Sequence, residues 1–146
     1  MTPATDHPPQ RLVLQNELAD LPLLSRWIEA CTSQDLPSGV AFAVALCVEE
    51  AVVNIMMHSS GSLLQISVEL RRERGTVTAR VEDNGPEFDP TQVRPREPAT
   101  SLKDAKVGDL GIHLIRSFAS EMHYRRSAGH NQLTLRFHET DATPPG

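Results

Sequence analysis

The chain of 146 residues has no excess of basic charge. Fourteen Lys and Arg stand against 19 Asp and Glu, giving a formal net charge of −5 and a pI near 5.6. Proteins that grip nucleic acid without regard to sequence are usually basic, so that class is disfavoured. The same deficit disfavours an anionic membrane surface as partner. Cysteine is scarce. The two that occur, Cys31 and Cys47, fall in segments that read as apolar helix faces, which points to buried free thiols. The start, MTPATDHPPQ, has no apolar stretch of the kind that makes a secretory signal. No run of about 18 apolar residues is read, so no membrane span is expected. Internal repeats are absent too. These absences lead to the expectation of a soluble cytoplasmic protein. What is present suits one packed domain: hydrophobic residues make up 39% and charged residues 23% of the chain.

Hydrophobic spacing orders the chain. Residues 1–10 and 139–146 are polar, Pro-containing ends that read as flexible. RLVLQNE (11–17) reads as a short strand. Asp20 stands where it can cap a helix with Pro22 in the first turn, and Leu21, Leu24, Ile28 and Cys31 then recur at helical spacing. SQDLPSG is a loop. From Val40 to Met57 the chain is apolar almost all round, the mark of a buried helix, and reads as too short and too acidic to cross a membrane. SSGS ends it. Leu64, Ile66, Val68 and Leu70 alternate with polar residues, as do Val77, Ala79 and Val81, so two strands joined at RRERG form a hairpin. A long irregular segment with four prolines follows, from Asp83 to Asp109. Loops of that length in compact domains are usually functional or disordered. LGIHLIRSFASEM (110–122) reads as a helix with Ile115, Phe118 and Met122 inward, and HYRRS and LTLRF pair as a second hairpin around AGHN. The order β-α-α-β-β-loop-α-β-β predicts an α+β fold: a two-layer sandwich of a mostly antiparallel sheet with three helices on one face.

Three constellations bear on chemistry. Glu50, Asn54 and His58 stand four residues apart on the apolar helix and form one polar stripe. Glu49 points about 100° away from it, as a surface charge. Such a stripe serves a wet helix face or a site equally well. If it is a site, Asn54 offers a neutral oxygen suited to Mg²⁺, and Glu50, one turn earlier, a base for an incoming hydroxyl or water. In VEDNGPEF, alternation puts Asp83 on the core face at a strand end, where a carboxylate needs a donor: a purine amine, a backbone N–H or a hydroxyl. Gly85 allows close approach beside it. In VGDLGIHLIR, Gly108 and Gly111 open a helix whose free N–H groups suit an anion, with Lys103 and Lys106 just upstream. Alone, the last two patterns also read as ordinary turn or loop punctuation, and the stripe as a solvent-facing helix side.

Their order narrows the reading. E-x-x-x-N on a helix, D-x-G at a strand end, a long loop and a Gly-opened helix together resemble the Bergerat-fold ATPases, the superfamily of gyrase and the histidine kinases. EEAVVNIMMH, VEDNGPEFDP and GDLGIHLIRSFASEMHYRR followed by NQLTLRF are similar in detail to the anti-sigma factor serine/threonine kinases of the RsbW type. The likeness runs over residues 11–138. It implies Glu50 as general base, Asn54 as ligand of the Mg²⁺ that bridges the ATP phosphates, and Asp83 with Gly85 at the adenine. It also implies residues 90–107 as an ATP lid, Gly108, Leu110, Gly111 and Ile112 along the nucleotide, and Thr134 near the adenine. His58 receives a structural role. By the same resemblance the substrate is a STAS-domain anti-anti-sigma protein, the sequestered partner a sigma factor or similar regulator, and the assembly a homodimer. Two residues depart from the pattern: Glu87 and Asp109 stand where relatives often have glycine. A carboxylate beside a triphosphate repels it unless a cation intervenes, so a non-catalytic binding module with weak nucleotide affinity is the alternative. A histidine phosphoacceptor helix is missing, which argues against a full sensor histidine kinase.

Overall fold

The computed structural model describes residues 7–33, 36–59, 64–92 and 109–141. In chain order the elements are β1 (His7–Gln15), α1 (Leu21–Thr32), α2 (Ser38–His58), β2 (Gln65–Glu73), β3 (Thr76–Asp83), α3 (Asp109–Phe118), β4 (Glu121–Ser127) and β5 (His130–His138). The five strands form one sheet in the order β1-β2-β3-β5-β4, with every neighbouring pair antiparallel. The three helices cover one face, and the core lies between the layers: Leu24 and Ile28 of α1, Val44, Val48 and Val52 of α2 and Ile115 of α3 meet alternate residues of the strands. The α+β sandwich expected from the sequence is what forms.

The alternation that predicted the strands sets which residues reach the site. Ile66, Val68 and Leu70 of β2, Val77, Ala79 and Val81 of β3, and Leu133, Leu135 and Phe137 of β5 all face the helices. Asp83 and Asn131 continue the inward series of their strands and sit directly opposite each other. Both hairpins are tighter than expected. Strand pairing runs to Glu73–Thr76 and Ser127–His130, leaving two-residue turns at Arg74–Gly75 and Ala128–Gly129. All four residues have positive φ, between 51° and 79°, the geometry that matches the twist of a two-residue hairpin.

Other differences have local causes. β1 begins at His7 because residues expected to be loose add to the sheet edge beside β2. Glu139, also assigned to a loose end, forms a half-buried ion pair with Arg72 at 2.7 Å and opens a 3-10 turn, Glu139–Asp141. Asp20 precedes α1 but its side chain caps no helical N–H; Oδ2 instead accepts from the Gln15 N–H at 3.1 Å. α3 ends at Phe118, not Met122. The Ser120 N–H donates to the Arg136 carbonyl at 2.8 Å, so the chain is already pairing with β5, and Met122 packs on the core from β4. Phe118 is consequently exposed, edge-on to Phe42 with ring centres 5.9 Å apart. α2, at 21 residues, is long and apolar enough to cross a membrane, contrary to the expectation. Half of its most apolar stretch is buried inside the protein, since the sheet, α1 and α3 pack around it and select apolar residues on several sides.

Candidate nucleotide site

α2, the ends of β3 and β5, α3 and the segment after β3 enclose a small cavity of about 30 Å³. Asn54, His58, Asp83, Phe88, Ile115 and Asn131 are among the residues that line it. Two residues of the predicted set, Asn54 and Asp83, therefore share one space, although 29 positions separate them.

The α2 wall carries the stripe. Asn54 is 5% exposed, and among the described residues its Oδ1 has no hydrogen-bond partner. A bare buried acceptor costs free energy on the order of 1–3 kcal/mol, so it marks a place where a cation or donor would be stabilising. One turn earlier stands Glu50. α3 closes so tightly on this carboxylate that a Cβ added at Gly111 would lie 2.6 Å from Glu50 Oε2. Glycine there lets the first turn of α3 approach Glu50 directly. Burial, and then the nearby Glu50 charge, push the Cys47 thiol up to about 12. Glu49 stays away from the cavity, as expected, and accepts an exposed hydrogen bond from Ser25 of α1. His58, at the last turn of α2, is exposed and stacks on Phe88.

The sheet wall is built around Asp83, which is 4% exposed. Its Oδ1 accepts from the Gly85 N–H at 2.8 Å and from Asn131 Nδ2 at 3.0 Å. Among the described residues both bonds fall on Oδ1, leaving Oδ2 with acceptor capacity on a residue that lines the cavity. Gly85 is fixed between Asp83 and Ser59: a Cβ there would lie 2.7 Å from Ser59 Oγ. Asn131 uses all its capacity. Besides Asp83, its amide donates to the Pro86 carbonyl at 2.8 Å, and its Oδ1 accepts from Tyr124 OH at 2.6 Å and the Phe88 N–H at 3.2 Å. Arg126 donates to the Gly85 carbonyl at 2.7 Å. Burial, followed by the charge of Glu87, pushes the Tyr124 phenol above its ordinary range. Beyond Phe88, Asp89 Oδ1 caps a 3-10 turn, Pro90–Gln92, and Arg116 of α3 donates to the Thr91 carbonyl at 2.9 Å.

The remaining predicted positions divide. Ile112 is buried in the first turn of α3, and Leu110 belongs to that turn by its backbone. Gly108, Lys103, Lys106 and the expected lid beyond Gln92 lie outside the described residues. Thr134 is not brought to the cavity. Alternation along β5 turns Leu133 and Leu135 inward and sends Thr134 to the open face of the sheet, in a groove with Arg80 and Arg136. Among the described residues, a hard cation meets the bare Asn54 Oδ1 on α2 and, one turn earlier, the Glu50 carboxylate. No cluster of three His, Cys, Asp or Glu residues suited to a metal occurs among the described residues. The donor set thus fits an ion that keeps most of its shell as water and ligand phosphate, as Mg²⁺ does.

The family profile described as Histidine kinase-like ATPase domain matches residues 14–137. The chain belongs to the histidine kinase-like ATPase domains. A Bordetella bronchiseptica protein named serine/threonine-protein kinase BtrW is 37% identical over 115 residues, covering 77% of this chain and 81% of the relative. The crystal structure of the RsbU and RsbW domains of a Mycobacterium tuberculosis protein superposes with a TM-score of 0.63 at 14% identity, over 90% of this chain and 32% of that longer one. The histidine kinase domain of a blue-light activated kinase from Erythrobacter litoralis gives 0.53 at 14% identity, over 85% of this chain and 61% of that one. At such identities the two structures speak for the fold. The resemblance to RsbW-type kinases read from the motifs stands.

Within this histidine kinase-like ATPase domain, sequence reasoning missed Asn131, Tyr124, Arg126 and Phe88. One signal for Asn131 was available. It shares parity with Leu133, Leu135 and Phe137, so an amide falls on a core face and needs partners.

Proposed function

We propose that the chain is an ATP- and Mg²⁺-dependent serine/threonine protein kinase that phosphorylates a STAS-domain antagonist and sequesters a sigma factor or similar regulator, working as a cytoplasmic homodimer. The observation that carries the reading is the bare, buried Oδ1 of Asn54, one helical turn from Glu50 in the wall of a cavity that also holds Asp83. The 37% identical relative named as a serine/threonine kinase supports the reaction class. Mg²⁺, when bound, would neutralise charge on the ATP phosphates. Asn54 would be its protein ligand. Asp83 would accept from the adenine amino group through Oδ2 while Asn131 and Gly85 hold Oδ1, with the Gly85 backbone beside the base. The α3 turn at Leu110, Gly111 and Ile112, with Gly108 before it, would meet the phosphates with backbone N–H groups. Glu50 would take the proton from the acceptor hydroxyl. Thr134 has no part in this scheme.

Incubation with ATP, Mg²⁺ and the cognate STAS protein tests the claim. Phosphate should appear on a Ser or Thr of that partner, and Glu50→Gln should slow transfer by about 10²–10⁴-fold, the usual worth of a positioned base. No transfer, or equal rates for the variant, would sink the reading. A second reading, a non-catalytic module with weak nucleotide affinity, draws on the 30 Å³ cavity and on Glu87, whose charge acts on Tyr124 in the cavity wall. Under that reading the partner stays unphosphorylated while both proteins still form a complex.

A further inference from the structure

His58 is the member of the α2 stripe that the kinase reading leaves without a role. The Phe88 ring lies on its imidazole, with centroids 4.5 Å apart and planes inclined by 18°. Both rings line the cavity of Asn54 and Asp83. That cavity measures about 30 Å³, whereas small-molecule pockets run to roughly 300–1,000 Å³. The space as it stands is narrow for a purine. The walls differ in how readily they yield. Ala51, Val81 and Leu133 belong to the packed core. Phe88 is half-buried and sits in the irregular segment between β3 and the 3-10 turn, with Pro86 and Pro90 on either side. Prolines restrict that backbone, and the Phe88 N–H is tied to Asn131 Oδ1 at 3.2 Å. Moving the ring off His58 therefore requires turning about its side-chain bonds rather than moving the chain that carries it.

We propose that Phe88 closes the base end of the cavity by stacking on His58, and that the purine of ATP displaces it and takes its place on the His58 ring. This rests on the nucleotide-binding reading above. Phe88 and the base then compete for one imidazole face. A stacked ring pair is worth about two- to tenfold in an equilibrium constant, which sets the size of the competition.

Calorimetric titration of ATP with Mg²⁺ into wild type, Phe88→Ala, His58→Ala and the double variant tests it. Phe88→Ala should tighten binding by about two- to tenfold, because the competitor is gone and the platform remains. In the Phe88→Ala background, His58→Ala should weaken binding by about two- to tenfold, since the base then loses its platform. In the His58→Ala background the Phe88→Ala gain should vanish. The His58 ring protons, shielded by Phe88 in the free protein, should shift when nucleotide saturates it. If wild type binds ATP but Phe88→Ala binds equally or more weakly, the displacement is wrong and the kinase reading survives. If none of the four proteins binds ATP, both fall.

Discussion

At the scale of single residues, the legible ones were those whose chemistry contradicts their surroundings. Asp83 is a carboxylate on a core face, and Glu50 with Asn54 forms a polar stripe on an otherwise apolar helix; Asn54 and Asp83 share one cavity, with Glu50 one turn away against α3. Asn131 breaks the same rule, but its significance depends on the register of a hairpin whose tight turn at Ala128–Gly129 was read as longer. Thr134 shows the opposite error: a position taken from resemblance, which strand parity on this chain turns away from the cavity. Because Asn131 satisfies four groups at once, Asn131→Ala should destabilise the fold by about 2–3 kcal/mol, measured by urea unfolding, and should also weaken ATP binding by loosening Asp83. A stable variant with unchanged affinity would mean that Asp83 holds its position without help. Cys47 supplies a pH test. Its folded thiol lies near 12 against an ordinary 9.0. Above pH 9 the unfolded chain releases a proton that the native state keeps, so stability should fall as pH rises from about 9 toward 12. Cys47→Ala should flatten that slope in alkaline unfolding titrations. The thiol should also resist modification at neutral pH until the protein unfolds.

At the scale of elements, identity was easier to read than extent. Helices and strands appeared where periodicity placed them, yet α3 lost its last turn to pairing with β5, and β1 gained residues from a supposed tail. Both outcomes reflect sheet hydrogen bonds formed between segments distant in sequence, which no local pattern reports. The contact between α2 and α3 is the element-level feature that matters for chemistry. Alanine at Gly111 would place a methyl group 2.6 Å from Glu50 Oε2, the far end of a side chain that can move aside. In a helix, alanine is also favoured over glycine by about 1 kcal/mol. Gly111→Ala should therefore keep or raise the melting temperature while the phosphotransfer rate drops, a split that calorimetry and a single-turnover assay would resolve. A fall in both would indicate that α3 itself has been displaced.

At the largest scale, among the described residues a single layer of helices covers one face of an antiparallel sheet, and the polar inward residues Asp83 and Asn131 lie at one end. Binding that favours the folded state adds to stability by mass action, so ATP with Mg²⁺ at 100 times its dissociation constant should add about 2.7 kcal/mol. Adding EDTA should remove most of that gain, as read by thermal unfolding. The central claim is that α2, β3 and α3 build a Mg²⁺-dependent ATP site in which Asn54 supplies the protein oxygen. Its most direct test is the affinity of ATP for wild type and Asn54→Ala, each measured with Mg²⁺ and with EDTA. Wild type should bind at least about tenfold more tightly with Mg²⁺, and Asn54→Ala should bind weakly and equally in both conditions. Binding that ignores Mg²⁺ in wild type, or that keeps its Mg²⁺ dependence after Asn54 is removed, would contradict it.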